Sequence, residues 1–290
     1  MKNIEIIGDP DPNRKYIFDP NLANELNKQT EVLIRKEKLK AKLEEKNKVP
    51  IPPTTKIDDS PISPIQNHSD FWTIPGVIYR DEIITVDLSK SLLDGGNRKS
   101  QNDWIVYSFG AKAGDFYTGD MPLHHAVFTA AYKMSDSPIK EEIRKFIKKF
   151  MFDHFLATTT RIYYQPIGSL EDIIVHNRSM SNEYSVKEEF VFGDEYVKDS
   201  IRPSNYKALL GVDELAKINS VYEWLTGKRV YLIRINSRSD KIMEGMGSFD
   251  TSLATANLSC AKTYSDIYYS LGIRIHPKIQ SQNTSGVNIK

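Results

Sequence analysis

Histidine, cysteine and carboxylate side chains are where chemistry would reside in this chain, and their spacing limits what they could do. His124 and His125 are adjacent. Neighbours on a helix point roughly 100° apart, so the pair does not readily ligate one ion. The expectation is one buried and one exposed histidine. No His-x-x-x-His, His-Glu-x-x-His or Cys-x-x-Cys pattern is present, so no metal site is expected. His154 and His176 have no carboxylate partner nearby in sequence. A phosphate-binding Gly-rich loop, a dinucleotide fingerprint and a Gly-x-Ser-x-Gly elbow are all missing. Asp115, Asp120, Asp240 and Glu244 are scattered carboxylates and read as solvated surface charge. Cys260, the one cysteine, lies between apolar neighbours and reads as a small buried hydrophobe. A reactive thiol needs a base or positive charge beside it. The residues therefore point to no catalytic group, no metal and no cofactor, and the chain is not expected to be an enzyme.

The 290 residues suffice for one large domain or two small ones. With 40% hydrophobic and 10% aromatic residues the chain can build a core, and the 27% charged residues keep its surface polar. Net charge is +1, the pI is about 7.7 and mean hydropathy is −0.45, so no global field draws it to nucleic acid or anionic lipid. A single cysteine excludes an internal disulfide. The N-terminus carries no signal-peptide core, and no run reaches the ~20 apolar residues of a membrane span. The expectation is a protein made in a cytoplasm without a signal peptide, with no nucleic-acid partner and no membrane insertion.

Three zones position these residues. Residues 1–48 form an N-terminal extension whose Lys/Glu/Leu/Ala-rich part, 21–48, is expected to be helical. Its apolar stripe (Leu22, Leu26, Leu33, Leu43) is thin, which suits a solvated helix or one that docks on a partner. Residues 49–68, with Pro50, Pro52, Pro53, Pro61 and Pro64, read as an extended linker. The globular domain is expected over 69–290. Within it Phe71–Ile78 reads as an ordered entry segment, Ile83–Val86 and Trp104–Phe109 as strands, and Asp94–Asn97 as a turn. Asp120 and Ser137, each followed by a proline at the first helical turn, start two helices, the second running to about Phe155. Thr158–Gln165, Asp172–His176 and Arg229–Ile235 read as strands, and Asp213–Leu225 as a helix stopped by Gly227. Without a regular βαβ alternation the class is α+β.

The last fifth of the chain has its own pattern. Gly247–His276 interleaves a frame (Gly247, Ser248, Leu253, Leu258, Cys260, Ser270, Leu271, Gly272, Ile273, Arg274) with interchangeable residues. The latter are Phe249, Asp250, Thr251, Ser252, Thr255, Asn257, Thr263, Tyr264, Asp266, Ile267, Tyr268 and Tyr269. A frame with a changeable surface suits a binding face.

Gly247-Ser248-Phe249, Leu258-Ser259-Cys260-Ala261 and Ser270-Leu271-Gly272-Ile273-Arg274-Ile275 together resemble the closing core of the formylglycine-generating-enzyme-like branch of the C-type lectin fold. That core has a Gly-Ser-aromatic turn, a short strand and a final Leu-Gly-Phe/Val-Arg strand. Within the branch the chain is most similar to the variable proteins of diversity-generating retroelements, of the archaeal and archaeal-virus type. The resemblance covers about residues 219–276, including Ile218–Leu225 and Tyr231–Asn236. It implies a C-type lectin fold with an N-terminal helical extension and a variable region at about 237–276. The twelve interchangeable residues become ligand-binding positions for a variable macromolecular ligand, a protein or cell-surface molecule. It also implies a place on a virion surface, with residues 21–48 contacting a virion or scaffold partner.

Such retroelements mutate template adenines, so diversified Asn codons cannot reach Lys, Glu, Gln, Met or Trp. From Gly247 to His276 only Lys262 is of these types, one residue in 30, against 55 among residues 1–246. Strand-rich segments lose Lys and Glu as well, so the depletion agrees with the resemblance without requiring it. Two other functions belong to the same resemblance. One is an oxidase of the formylglycine-generating type, which relies on a cysteine pair that this chain lacks. The other is a structural virion or scaffold protein whose lectin-like domain only packs.

Overall fold

The computed structural model describes residues 64–112, 114–167, 171–176, 183–186, 194–235 and 237–276. The chain divides into two units, Met1–Ser60 and Pro61–Lys290, and the account below is of the second. The helix expected at 21–48 and most of the linker lie outside the described residues.

Alternating apolar residues open the unit as a hairpin. Strand β2 (Phe71–Tyr79) and strand β3 (Glu82–Leu92) pair antiparallel, and a two-residue strand β1 (Gln66–Asn67) adds to β2. Ile65 is already buried, so ordered packing begins inside the segment read as linker. The β2–β3 turn places Arg80 and Asp81 at positive φ, as a two-residue hairpin turn requires. Arg80 is held there by its ion pair with Asp120, at 3.1 Å.

Helix α1 (Gln101–Gly110) replaces the strand expected at Trp104–Phe109. Ser100 caps it: its Oγ accepts from the Asp103 N–H and donates to the Asp103 carboxylate at 2.6 Å. The buried positions are Gln101, Trp104 and Ser108, a three-to-four spacing, while Val106 and Phe109 remain exposed. Local capping and burial on one stripe outweigh the β-branched composition.

A short strand β4 (Tyr117–Thr118) leads to helix α2 (Met121–Lys133), capped by Asp120 with Pro122 in its first turn. Helix α3 (Pro138–Asp153) starts at Ser137 and buries Ile143, Ile147 and Met151. Both helices begin where the sequence placed them. Strands β5 (Leu156–Tyr164), β6 (Asp172–His176), β7 (Glu183–Val186) and β8 (Glu195–Tyr196) follow. Helix α4 (Pro203–Leu210) was not anticipated, because eight residues carry too little periodicity to stand out. Helix α5 (Leu215–Thr226) ends at Gly227 in the left-handed conformation. Strands β9 (Arg229–Ile233), β10 (Met243–Thr251), β11 (Thr255–Lys262) and β12 (Leu271–Ile275) complete the unit.

The strands form two sheets, so the fold is mixed α+β. One has the order β1-β2-β3-β12-β4, and β12 returns from the end of the chain to lie between the opening hairpin and β4. The other has the order β7-β6-β5-β10-β11-β9-β8, antiparallel except where β11 runs parallel to β9. Helix α2 touches β2 of the first sheet, β5 of the second, and α3, α4 and α5. This central place explains why both His124 and His125 are buried, against the expectation of one exposed. His125 stacks on Tyr222 with ring centroids 5.6 Å apart, and His124 lies 5.9 Å from Phe249.

Candidate functional site

The frame residues earn their types from close packing. Strand β10 is bulged between Met246 and Ser248, so Gly247-Ser248-Phe249 is an irregular strand segment and not a turn. A Cβ on Gly247 would lie 2.6 Å from Met121 Sδ and 3.0 Å from Thr160 Cβ, which leaves room only for hydrogen. Thr158 Oγ1 donates to the Gly247 carbonyl at 2.6 Å. A Cβ on Gly272 would meet Leu93 Cδ2 at 2.9 Å. Leu258, Cys260, Leu271 and Ile273 are fully buried, as the frame pattern requires. Arg274 pairs with buried Asp87 at 2.6 Å, its guanidinium 4.7 Å from the Phe71 ring and 4.5 Å from the Phe116 ring. Leu253 departs from the frame: it is 93% exposed, because β10 and β11 turn at Ser252–Ala254 and the turn carries its side chain outward.

Register decides what the two C-terminal strands show to each side. Leu156, Phe249 and Leu258 are cross-strand neighbours, and all three are in the core. Alternation then puts Ser248 and Asp250 of β10, with Thr255, Asn257 and Ser259 of β11, on the opposite, outer face, and Ser252 follows at the turn. Small polar groups run along this face. Ser252 Oγ lies 2.8 Å from Thr255 Oγ1, which donates to Asn257 Oδ1 at 2.7 Å, and Asn257 Nδ2 donates to Asp250 Oδ1. Asp250 Oδ2, Ser248 Oγ and Ser259 Oγ are buried without a hydrogen-bond partner among the described residues. Burial pushes the Asp250 carboxyl up from its ordinary value, against the Asn257 hydrogen bond and the Lys262 charge.

The loop from Thr263 to Tyr269 lies over part of this face and is pinned by its backbone. Tyr268 exchanges two backbone hydrogen bonds with Lys99, and Trp104 Nε1 donates to the Tyr268 carbonyl at 2.9 Å. The Tyr264 carbonyl accepts from the Gln101 N–H at 3.0 Å, and the Tyr269 carbonyl from the Ala157 N–H at 2.8 Å. The Tyr268 ring belongs to a small cluster with Leu93, Trp104, Ala157 and Met246. Arg161 lies over Tyr264 at 4.8 Å, and His154 packs on Tyr269 at 4.3 Å. The Lys262 ammonium sits 3.8 Å from the centroid of Phe155, a ring that in turn approaches Tyr268.

Four of the twelve positions read as ligand-binding are therefore buried. Phe249 is 0% exposed and packs against Phe128, His124 and Tyr222, because alternation turns it into the core. Asp250, Asn257 and Tyr268 point outward but are covered by neighbours, at 5%, 5% and 7% exposure. The other eight, Thr251, Ser252, Thr255, Thr263, Tyr264, Asp266, Ile267 and Tyr269, are exposed or half-exposed. Sequence reasoning missed Phe152, His154 and Phe155 at the end of α3, together with Arg161 and Lys262. Phe152, Phe155 and Ile267 are all strongly exposed. No periodicity links the end of α3 to a loop more than a hundred residues later.

Elsewhere the chemistry-bearing residues make contacts that hold the fold. Asp120, read as solvated, is buried: it caps α2 and accepts from Tyr79 Oη at 2.7 Å. His176 bridges Thr160 Oγ1 and the Ala208 carbonyl. Burial lowers the pKa of His124, His125 and His176, that of His125 to about 3. Burial also pushes the Cys260 thiol far up, so it stays protonated. Burial raises Asp87, but hydrogen bonds from Thr73, Arg274 and His276 outweigh it and hold the carboxyl below its usual range. There the Thr73 hydroxyl donates to the carboxylate at 2.6 Å, and His276 Nε2 lies 2.8 Å from the same oxygen. Among the described residues no three His, Cys, Asp or Glu side chains are grouped to hold a metal. No helix among them is long and apolar enough to cross a membrane.

No protein-family model, curated protein or solved structure matches the chain.

Proposed function

We propose that this protein is a ligand-binding variable protein of a diversity-generating retroelement, built on a C-type lectin fold of the formylglycine-generating-enzyme-like branch. Its C-terminal face takes a variable macromolecular ligand, a protein or cell-surface molecule, in attachment of a virus to its host. One observation carries this reading. Frame residues other than Leu253 are held by burial, ion pairing or glycine contacts, whereas eight of the twelve interchangeable residues sit on the surface of the same strands and loop. Side chains at such positions change with little effect on folding, within about 0.5 kcal/mol each. Their composition, aromatic and hydroxyl-rich with exposed Ile267, resembles that of antibody paratopes, where rigid rings supply area and small polar groups adapt.

Two measurements test the proposal. The gene's surroundings should hold a near-identical repeat of the segment coding for about 237–276, differing at adenines, beside a reverse-transcriptase gene. In the laboratory, the full chain is displayed as a library randomised with NNY codons at the eight surface positions only. Panned against several unrelated proteins, it should yield distinct binders while most members stay folded. A library that largely misfolds, or one that folds and yields no binder to any target, refutes the reading.

A further inference from the structure

The outer face of β10 and β11 contains a feature that folding alone does not account for. Three oxygens in one row, Ser248 Oγ, Ser259 Oγ and Asp250 Oδ2, are buried with no partner among the described residues. Ser248 and Ser259 are direct cross-strand neighbours and fully buried, and the next outward pair along the strands is Asp250 and Asn257. A native fold pairs nearly all of its buried polar atoms, so three orphans side by side mark a place that something else completes. Their chemistry is that of acceptors. The carboxylate oxygen can only accept, and each hydroxyl can accept while donating elsewhere. Phe155 precedes Leu156, the cross-strand partner of Phe249, so alternation puts it on this same face, with the Tyr268 ring 6.0 Å away. The faces of such rings attract cations.

One cation already rests there. The Lys262 ammonium lies over the Phe155 ring at 3.8 Å, near enough to act on Asp250 electrostatically, yet it forms no ion pair with Asp250 among the described residues. A flexible lysine held by one ring is easily exchanged.

We propose that Ser248, Asp250, Asn257 and Ser259 form a subsite for a cationic side chain of the bound macromolecule, a lysine ammonium or an arginine guanidinium, which enters by displacing Lys262 from the Phe155 ring. Asp250 is 5% exposed and Ser248 and Ser259 are fully buried, so the incoming cation donates first to Asp250 Oδ2 and to the serine hydroxyls only as the covering side chains part, and its alkyl stem lies along the rings. An anionic group is disfavoured at an under-solvated carboxylate, and a purely apolar one leaves all three oxygens unsatisfied. The inference rests on the reading of this surface as a binding face and assigns that face a preference for basic ligands.

The test uses the full chain labelled with 13C-aspartate and small probes: n-butylammonium chloride, N-ethylguanidinium chloride, uncharged n-butanol and sodium acetate. The Asp250 carboxyl signal is assigned by its loss in Asp250→Asn. The two cations should move that signal saturably, butanol and acetate should not, and the signal's titration midpoint should fall when a cation is bound. Lys262→Met should tighten binding of n-butylammonium several-fold, and Ser259→Ala should weaken it at least twofold. The proposal is overturned if the Asp250 signal responds no more than that of exposed Asp266, if acetate competes with the cations, or if Lys262→Met leaves the affinity unchanged. It is equally overturned by an ordered water completing the row with no saturable cation shift. Because the NNY library keeps Asp250 and Lys262 fixed, binders can emerge while the Asp250 signal stays inert, and the reverse, so the two failures are told apart.

Discussion

Replacing Phe249 with Ala separates core from face most sharply. The ring stands at the centre of an aromatic cluster, with centroids 5.5 Å from Phe128, 5.9 Å from His124 and 6.1 Å from Tyr222, and it is 0% exposed. Removing a buried Phe side chain costs ~3–5 kcal/mol through lost transfer energy and the cavity left behind. The upper half of that range is expected here, because each aromatic pair contributes ~0.5–1.5 kcal/mol beyond its buried area. The surroundings belong to α2, α5 and β10, all fixed by other contacts, so the cavity collapses little. For a unit of this size each kcal/mol lowers Tm by ~2–4 °C, so a loss of ~4–5 kcal/mol corresponds to a fall of roughly 8–20 °C. The assay is urea and thermal unfolding of the full chain, with Tyr264→Ala as the surface control. Tyr264 is half-exposed, and its truncation should cost about 1 kcal/mol or less. A Phe249→Ala protein within about 1 kcal/mol of the parent would refute the assignment of Phe249 to the core. The division between frame and face would then have to be redrawn.

Gly247→Ala should destabilise by ~1–3 kcal/mol in denaturant melts, since its Cβ would lie 2.6 Å from Met121 Sδ, and in a double-mutant cycle its cost should be smaller in a Met121→Ala background, where that clash is gone. Asp250→Asn should raise stability at pH 7: burial raises the folded pKa above 3.8, so the parent loses stability as pH rises from 3.8 through the folded value, and the two proteins should converge below pH 3.8 in a Tm-versus-pH series. His125 has the opposite sign: its folded pKa is depressed from 6.5 to about 3, so its contribution is intact above pH 6.5 and is lost as pH falls toward about 3. At two units below the unfolded value that amounts to roughly 2–3 kcal/mol, and His125→Gln should flatten this slope in acid melts. Replacing Tyr264 and Tyr269 with Ser should lower the urea midpoint much less than adding Tyr268→Ser, because of the three only Tyr268 is a buried member of the Trp104–Ala157–Met246 cluster, whereas Tyr264 packs against it half-exposed.

What the sequence determined by itself is local. Capping serines and aspartates followed by proline started α2 and α3 where expected, and Gly227 stopped α5, because these signals act within one helical turn. The apolar frame at Leu258, Cys260, Leu271 and Ile273 was legible because strand alternation writes burial into every second residue. Tertiary structure decided the rest. Trp104–Phe109 has the composition of a strand, yet its cap at Ser100 and the burial of Trp104 under the C-terminal loop make it a helix. Asp120 and one of His124 and His125 look like surface residues until α2 is placed against both sheets. Phe249 and Asp250 are neighbours in sequence and fell into one class there. The register of β5, β10 and β11 sends one into the core and the other to the outer face, since successive strand residues point to opposite sides. Leu253 left the frame for a similar reason, because a hairpin tip has no second layer to pack against. The candidate face joins residues from the end of α3, from β5 and from the β11–β12 loop, and only three-dimensional packing brings segments so distant in the chain into contact.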